Sequence, residues 1–520
     1  MNWITLGVFV FFFVLIAALG FYASGWRRGN LDALDEWGLG GRRFGTLVTW
    51  FLLGGDLYTA YTFLAVPALA FGLGAIGFFI LPVGVINYIF VFCVYPALWS
   101  VCKRRGHITA ADFIKDRFDS RFLSLVMAAT GILATMPYIA LQLIGIQMVV
   151  GALGFPMQGF WSEVPLFTAF LILAIFTYTS GLRGPAMISI VKDVLMYVTV
   201  IAAVIYIPVE LGGYGSIFGA VPQEKLLLKP PSAESMNQFS LYATMAIGSG
   251  LAVFLYPHAT TALLSASSAN TIRRNMVLLP IYAVVMGLMV VMGYMALASN
   301  VRDMPEYADY FAQYGVNFAV PAMLMHFFPS WLLGLAFAAI AISALVPSSI
   351  MSIAAANLFT RNIYSNYLHR ECSAARETQV AKLTSLVVKA GALAFVILLP
   401  LEYAAQMALL GGIWIIQTTP GIVFGLFTRW VERRGLLAGW LVGVGSGTWM
   451  MTTTSFTSSA FVLQIGNYTI PGYAAVYSLV LNLMVTVAIS GLLSLNRESL
   501  RAVRASAAKT LENSARIESE

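Results

Sequence analysis

TLVTWFLLGGDLYTAYTFLAVPALAFG, the stretch from Thr46 to Gly72, decides the fold of this chain. It is long enough to cross a bilayer, for which about 20 apolar residues suffice. Its middle reads Gly54-Gly55-Asp56, however, and two adjacent glycines weaken a helix. A carboxylate at that depth is costly unless it faces protein, water or a cation. Two interpretations are open: a kinked helix whose acid pairs with a neighbouring helix, or a discontinuous helix that binds solute and cation near the midplane.

The composition is that of a protein that crosses a membrane several times. Hydrophobic residues make up 59% of the 520 residues and charged residues only 10%, which excludes an ordinary soluble domain. The net charge of +7 does not indicate a nucleic-acid partner, because the basic residues lie in short loops between apolar segments. The three cysteines fall in or beside these segments or in a basic loop, so they imply no disulfide framework.

Thirteen apolar segments are candidates for membrane spans. We predict an all-α polytopic protein in which residues 1–495 form one membrane domain and residues 496–520 a cytoplasmic tail. The predicted spans, numbered in chain order below, are 3–24, 46–71, 75–101, 122–150, 164–180, 186–209, 238–264, 277–299, 319–346, 381–401, 404–428, 436–455 and 474–495.

The distribution of Lys and Arg predicts the orientation. With the N-terminus outside and the C-terminus in the cytoplasm, only Lys225, Lys229 and Arg302 of the 30 basic residues lie in outer loops, and Lys389 lies within a span. An excess of Lys and Arg in cytoplasmic loops is the usual arrangement in membrane proteins. We therefore expect a periplasmic N-terminus and a cytoplasmic C-terminus, with the lipid bilayer as surroundings and a monomer or weak dimer as the assembly.

The seventh predicted span contains a second interruption. It holds the triplet GSG at 248–250, followed by Tyr256, Pro257 and His258. This span lies five spans after the first interrupted one. Two interrupted helices at corresponding positions of two halves indicate a transporter built from inverted repeats. The repeats would be 46–209 and 238–428, with a peripheral first helix at 3–24 and the twelfth and thirteenth helices at 436–495.

Four motifs in order resemble the sodium:solute symporter family. LLGGDLYTAYTFLAVPALAF at 52–71 is similar to its discontinuous second helix, and YPHATTALLSASSANTIRRN at 256–275 to its seventh. ANLFTRNIY at 356–364 and TPGIVFGLFTRW at 419–430 match further on. The segment 37–67 looks most similar to the bacterial monocarboxylate permeases of that family, which take up lactate, pyruvate and similar short acids.

The resemblance implies a LeuT-like 5+5 inverted repeat, with helices 2–6 and 7–11 as repeats and helices 2 and 7 discontinuous. It also implies a symporter of the bacterial inner membrane, without enzymatic activity, that imports a small carboxylate with a cation and needs no cofactor. Such a substrate needs hydrogen-bond donors and an apolar wall, and half-helix N-termini favour an anion. The candidate substrate-binding residues are Tyr58, Thr59, Tyr61, Thr62, Tyr138, Gln142, Phe254 and Tyr256.

The coupling ion is sodium by the same resemblance, with a proton carried by Asp56 as the alternative. Gly54 and Leu57 would offer backbone carbonyls to sodium. The ninth span of the family adds a small residue followed by two hydroxyls, and these positions hold Ser343, Val346 and Pro347 here. Two expected hydroxyls are thus missing, and a shifted alignment recruits Ser348 and Ser349. The candidate cation-binding residues are Gly54, Asp56, Leu57, Ser343, Val346, Pro347 and Ser348.

Other functions find less support in the sequence. There is no charged ring or filter repeat of a channel, no metalloprotease or nucleophile motif and no nucleotide-binding loop. An amino-acid or sugar symporter is the alternative within the family. Three further charged residues are interpreted as structural: Lys389 within a span as a snorkelling or paired lysine, and Lys192 with Asp193 as an ion pair at the cytoplasmic interface.

Overall fold

The computed structural model describes residues 2–26, 29–156, 160–398 and 401–517, with side chains except at position 61 and at 160–163, 401–406 and 496–517. This part of the chain is mostly helical. Its α-helices are α1 Trp3–Tyr22, α2 Leu34–Leu39, α3 Thr46–Leu57, α4 Ala60–Leu73, α5 Ile80–Arg105, α6 Ala110–Phe118, α7 Arg121–Ala152, α8 Phe160–Ser180, α9 Arg183–Glu210, α10 Tyr214–Ala220, α11 Gln223–Leu226, α12 Asn237–Ala252, α13 Pro257–Leu264, α14 Ala269–Leu278, α15 Pro280–Ala298, α16 Ala308–Tyr314, α17 Ala319–Phe327, α18 Ser330–Leu358, α19 Ala374–Leu398, α20 Leu401–Ile416, α21 Thr419–Phe427, α22 Arg433–Thr452 and α23 Ala474–Ile517. A π-helix, Phe359–Leu368, follows α18, and the strands are β1 Ala460–Ile465 and β2 Tyr468–Tyr473.

Ten helices among the described residues are long and apolar enough to cross a membrane. One of them is the run Thr62–Arg105, whose 44 residues would measure roughly 66 Å at 1.5 Å per residue. This is about twice the thickness of a hydrocarbon core, so the run contains the end of the second predicted span and the whole third. Two shorter apolar helices are Thr46–Leu57 and Val164–Ser180. The number of thirteen spans is therefore not confirmed and stays a prediction.

A β-hairpin corrects the expectation of an all-α chain. β1 and β2 pair antiparallel, with Ile465 opposite Tyr468, so Gly466 and Asn467 form a two-residue turn. Gly466 has a φ of 60°, as the first position of a type II′ turn requires. Alternating apolar residues on both sides of Gly-Asn are the usual sequence signal of such a hairpin. The hairpin packs on α12, where the backbone N–H of Tyr473 donates to Thr244 Oγ1 at 2.9 Å.

The first interruption lies between α3 and α4, at Tyr58 and Thr59. Tyr58 has φ −90° and ψ 81°, and Thr59 is extended with ψ 165°. The Thr59 hydroxyl accepts the backbone N–H of Thr62 at 3.0 Å and so caps α4. The two glycines were expected to weaken the helix, but both lie inside α3. A Cβ at Gly54 would overlap the ring of Tyr282, so Gly54 permits a close approach between α3 and α15.

The second interruption lies between α12 and α13. A 3-10 turn, Val253–Leu255, follows α12, and Tyr256 then adopts φ −57° and ψ 139°. Pro257 occupies the first position of α13, where its missing N–H costs no hydrogen bond. The break therefore falls at Tyr256, six residues after the GSG triplet. A Cβ at Gly250 would lie 2.9 Å from Ile86, so this glycine too serves helix packing.

α18 is the most enclosed helix among those described. Every residue from Ala336 to Leu358 is buried, and α18 packs against α1, α7, α9, α13 and α19. The ninth span was predicted at 319–346. Instead, the chain turns between α17 and α18, and α18 ends at Leu358, twelve residues after the predicted end of the span. Its alanines, its serines and Pro347 all lie in a fully packed interior. α18 thus forms the scaffold on which both interrupted helices lie.

We predict that Gly54→Ala destabilises the protein, because the new methyl group would occupy the position of the Tyr282 ring. Overpacking of this kind costs about 1–3 kcal/mol or more. The melting temperature in detergent should fall and the yield of folded protein should drop. Gly72→Ala is the matched control, since nothing lies within 4 Å of a Cβ there. Equal stability of the two variants would contradict the proposed role of Gly54.

Candidate solute and cation site

A cavity of about 520 Å³ lies between the two interrupted helices. Asp56 lines it beside the first interruption, and Tyr256 and His258 line it beside the second. From there the cavity extends to Gln238 at the start of α12 and to 457–460 at the start of the hairpin. Its volume is in the range of about 300–1,000 Å³ that is usual for small-molecule sites. Much of its wall is apolar, with Leu57, Val66, Ile80, Leu141, Met245 and Leu409.

Three of the predicted substrate residues meet in this cavity. Thr62, Tyr138 and Tyr256 all line it. The rings of Tyr138 and Tyr256 lie 5.7 Å apart between centroids, and each also contacts the imidazole of His258, at 5.7 and 5.3 Å. The three rings form an aromatic wall of the cavity. Ring contacts of this kind hold side chains in fixed positions, which a binding site requires.

The other predicted substrate residues do not line the cavity. The Tyr58 hydroxyl donates to the backbone carbonyl of Tyr282 at 2.6 Å, and Thr59 caps α4. Phe254 is buried, and its carbonyl accepts the hydroxyl of Tyr95. Gln142 lies one helical turn beyond Tyr138 and is fully buried. The side chain of Tyr61 lies outside the described residues. The roles predicted for these residues stay predictions.

Five polar side chains at or near the cavity hold atoms without a hydrogen-bond partner among the described residues. They are Asp56 through Oδ1, His258 through Nδ1, Tyr88 through its hydroxyl, and Asn87 and Gln142 through both side-chain atoms. Asn87 is only 1% exposed and lines the cavity, as Tyr88 does. An unpaired buried polar atom is costly, so this group is ready to receive a polar ligand or water. The sequence analysis missed Asn87 and Tyr88, although an asparagine within an apolar span is itself a signal.

Asp56 has a specific neighbour across the cavity. Its Oδ2 lies 3.6 Å from Nε2 of His258, so the first interrupted helix contacts the second through these two side chains. Both are almost fully buried. The acid of the opening motif therefore faces protein and the cavity at the same time, as a discontinuous binding helix requires.

The predicted cation ligands are largely engaged within their own helices. The Gly54 carbonyl accepts the backbone N–H of Tyr58 at 2.9 Å, and the Leu57 carbonyl accepts the Thr62 hydroxyl at 3.0 Å. On α18, Ser343 donates to the carbonyl of Ala339 at 2.6 Å, and Ser348 donates in the same way to Ala344 at 2.7 Å. Val346 and Pro347 are buried and carry no side-chain oxygen. Their role in cation binding stays a prediction.

Lys192 lies at the first interruption, whereas it was predicted to lie at the cytoplasmic interface of the membrane. It is fully buried, and its Nζ donates to the carbonyls of Gly55 and Tyr58, both at 2.7 Å. Asp193 Oδ1 lies 2.9 Å from the same nitrogen. The predicted ion pair of Lys192 with Asp193 is thus present, but it lies buried at the first interruption, more than two turns inside α9, which begins at Arg183. Asp193 is anchored in turn by the Tyr282 hydroxyl, at 2.5 Å from Oδ2.

Of the two interpretations of Lys389, as a snorkelling or as a paired lysine, the structure shows the second. It is only 1% exposed and donates to the Ser385 hydroxyl one turn away on α19, at 2.9 Å. Ser385 in turn bonds the hydroxyl of Ser352 on α18 at 3.3 Å. The side chain thus ends at a neutral polar cluster within the protein and does not reach the surface.

A smaller void of about 40 Å³ lies on the other side of the second interruption, lined by Pro257 and Leu358 among others. Charged side chains join the elements at this end of the bundle: Arg361 lies 3.4 Å from Asp112 on α6 and 3.1 Å from Glu377 on α19. The large cavity extends in the opposite direction, to 457–460 at the start of the hairpin.

Two interrupted helices around a central cavity are typical of membrane transporters, and the comparisons with known proteins show that class. The sequence model of the sodium:solute symporter family matches residues 37–443. The chain belongs to this family.

The chain is similar to several proteins that are named as transporters. A "Monocarboxylate transport permease protein" of Rhizobium johnstonii is 47% identical over 496 residues, which cover 95% of this chain and 97% of the relative. An uncharacterized symporter of Bacillus subtilis is 32% identical over 82% of this chain and 84% of its own. A sodium/proline symporter of Staphylococcus aureus is 24% identical over 51% of each chain. The first of these relatives confirms the resemblance to the monocarboxylate permeases.

A solved structure has the same fold. It is titled as the substrate-bound outward-open state of a Na⁺-coupled sialic acid symporter, and it superimposes with a TM-score of 0.76. The match covers 94% of this chain and 98% of the other, at 16% sequence identity. The LeuT-like symporter fold implied by the sequence motifs is thereby confirmed.

We predict that Asn87→Ala and Gln142→Ala raise the KM for the transported solute while leaving membrane insertion intact. Both side chains are buried and hold unpaired donors, and loss of a hydrogen bond to a buried ligand costs about 1–3 kcal/mol, which is roughly 5- to 150-fold in affinity. Ile89→Ala is the control, because Ile89 lies two residues from Asn87 on the exposed side of α5. Unchanged kinetics in both variants would assign these amides to packing alone.

Proposed function

We propose that this protein is a secondary active symporter that imports short monocarboxylates, of the pyruvate or lactate type, together with a cation. The observation that carries the proposal is the cavity between the interrupted helices, in which unpaired neutral donors face a mostly apolar wall. A short carboxylic acid has the same division, with an anionic end and an apolar tail. The similarity to a relative named as a monocarboxylate permease supports this substrate class.

The carboxylate end of the solute fits the polar part of the cavity. α4 begins at Ala60 and α13 at Pro257, and the N-terminal ends of both helices carry partial positive charge and unbonded N–H groups. Asn87 and Tyr88 add neutral donors in the cavity wall. A carboxylate held in this way needs no Arg or Lys in the cavity wall. The arrangement resembles the midplane sites of transporters with discontinuous helices.

The coupling ion has two candidates. Sodium is supported by membership in the family, with Gly54, Leu57 and the α18 positions as ligands. A proton on Asp56 is supported by the contact of this acid with His258, 3.6 Å away in the wall of the cavity. Either ion would balance the charge of one monocarboxylate.

The architecture is proposed as predicted from the sequence. Thirteen spans would form a 5+5 inverted repeat with repeats at 46–209 and 238–428, preceded by a peripheral helix at 3–24 and followed by 436–495. The pair of breaks at Tyr58 and Tyr256 supports this division. With a periplasmic N-terminus the hairpin lies outside, so the cavity faces the periplasm and the protein is in an outward-facing state. A monomer or weak dimer in the inner membrane remains the expected assembly.

An amino-acid or sugar symporter is the second candidate. The similarity to a sodium/proline symporter over half of the chain favours an amino acid. The unpaired oxygen of Asp56 favours it also, because this atom would accept a hydrogen bond from a substrate amine. A monocarboxylate offers no such donor.

Uptake in proteoliposomes tests the two candidates directly. We expect purified protein to concentrate radiolabelled pyruvate, with competition by lactate and none by alanine, proline or glucose. Liposomes without protein provide the background. Preferential inhibition by proline or alanine would replace the monocarboxylate with an amino acid as substrate.

We predict that a membrane-impermeant maleimide labels Ser232→Cys on intact cells but does not label the wild type. Ser232 is exposed in the predicted outer loop, and the partly exposed native Cys372 lies in the predicted cytoplasmic loop. After permeabilisation the wild type should be labelled at Cys372, and Cys372→Ser should lose that signal. Labelling of Cys372 from outside would invert the orientation.

A further inference from the structure

A sodium ion does not fit the residues at the first interruption. Hard cations need several oxygen ligands, but Val346 and Pro347 provide no side-chain oxygen. The carbonyls that the break does expose, those of Gly55 and Tyr58, both accept Lys192.

Three oxygens surround the Lys192 ammonium in this position. Nζ donates to two carbonyls, both at 2.7 Å, and forms an ion pair with Asp193 Oδ1 at 2.9 Å. An ammonium group has three N–H donors, so the two carbonyls and the carboxylate occupy the space around it. A free cation at the same carbonyls would have to displace the amine, and beside it would meet a like charge.

We propose that Lys192 is a tethered cation that takes the place of sodium at the break in the second helix, so that uptake by this protein does not use sodium there. The inference rests on the proposed symport. Asp193 balances the charge of Lys192 on α9 itself. From the neighbouring elements Asp56 on α3, Tyr282 on α15 and His258 on α13 face this region. The gradient left to drive uptake is then that of protons.

The replacement of sodium by the Lys192 ammonium also explains the sequence of α18. Where the family pattern expects two hydroxyls for sodium, the chain has Val346 and Pro347. A lysine that already donates to two carbonyls at the break and is paired with Asp193 makes those hydroxyl ligands unnecessary. The missing ligands and the added ammonium are thus two observations, from different helices, that agree.

Sodium dependence of the purified wild-type protein is the first test, and it needs no substrate. We expect the same melting temperature in sodium chloride as in choline chloride at equal ionic strength. Uptake of radiolabelled pyruvate should proceed in choline medium with a pH gradient, acid outside. Stabilisation by sodium specifically, or loss of uptake on its removal, would overturn the inference. Absence of pyruvate uptake in both media would instead count against the proposed function, and the melting experiment would still decide the role of sodium.

Variants of Lys192 are the second test. Lys192→Met should reduce uptake by about ten-fold or more, because two carbonyls and a carboxylate lose their donor. In this variant Asp193 would be a buried charge without its partner, which endangers folding. The double variant Lys192→Met/Asp193→Asn removes both charges. It should be stable, and its uptake should be reduced as much as that of Lys192→Met. Lys389→Met is the matched control, a buried lysine that bonds Ser385 away from the break, and it should transport like the wild type. Normal uptake by the double variant would overturn the inference.

Discussion

The backbone of an interrupted helix inside a membrane must find hydrogen-bond partners within the protein, and this constraint governs the site. Unpaired carbonyls in hydrocarbon are too costly to persist. At the first break Lys192 bonds two of them and Thr62 bonds a third. The long side chain of Lys192 reaches the break from α9, so α3, α4 and α9 are joined at one point. The conformation of the second helix therefore depends on a residue far away in sequence.

The same constraint explains why the glycines are where they are. Gly54 and Gly55 do not make the break, which comes at Tyr58, but Gly54 lets Tyr282 approach the helix that ends there, and Gly55 lies close to Ser189 of α9. The hydroxyl of Tyr282 then holds Asp193, which holds Lys192. Close packing and hydrogen bonding thus act together: the first places the partners, and the second makes the break tolerable.

The sequence predicted which two spans are interrupted, because glycine, proline and an intramembrane acid are rare enough in apolar spans to be informative, but the breaks fall at Tyr58 and Tyr256 and not at the glycines. Family motifs then predicted the fold that the solved symporter structure confirms. Lys192 was misinterpreted because its burial depends on where α9 begins, and helix boundaries are uncertain by a few residues. Asn87 and Tyr88 were missed because their span has no break, so only the tertiary structure brings them to the cavity. The hairpin was missed although Gly466-Asn467 has the turn chemistry for it.

The scaffold helix and one end of the bundle differ in what holds them. α18 is packed along its length by apolar contacts, which would be lost if it moved apart from its neighbours. At the end opposite the hairpin the elements are joined instead by Arg361 with Asp112 and Glu377, whose carboxylates are only 8% and 13% exposed. Removing one partner of a largely buried ion pair is costly. Any rearrangement at this end must therefore give Asp112 and Glu377 new partners or water, whereas the scaffold helix is held mainly by packing.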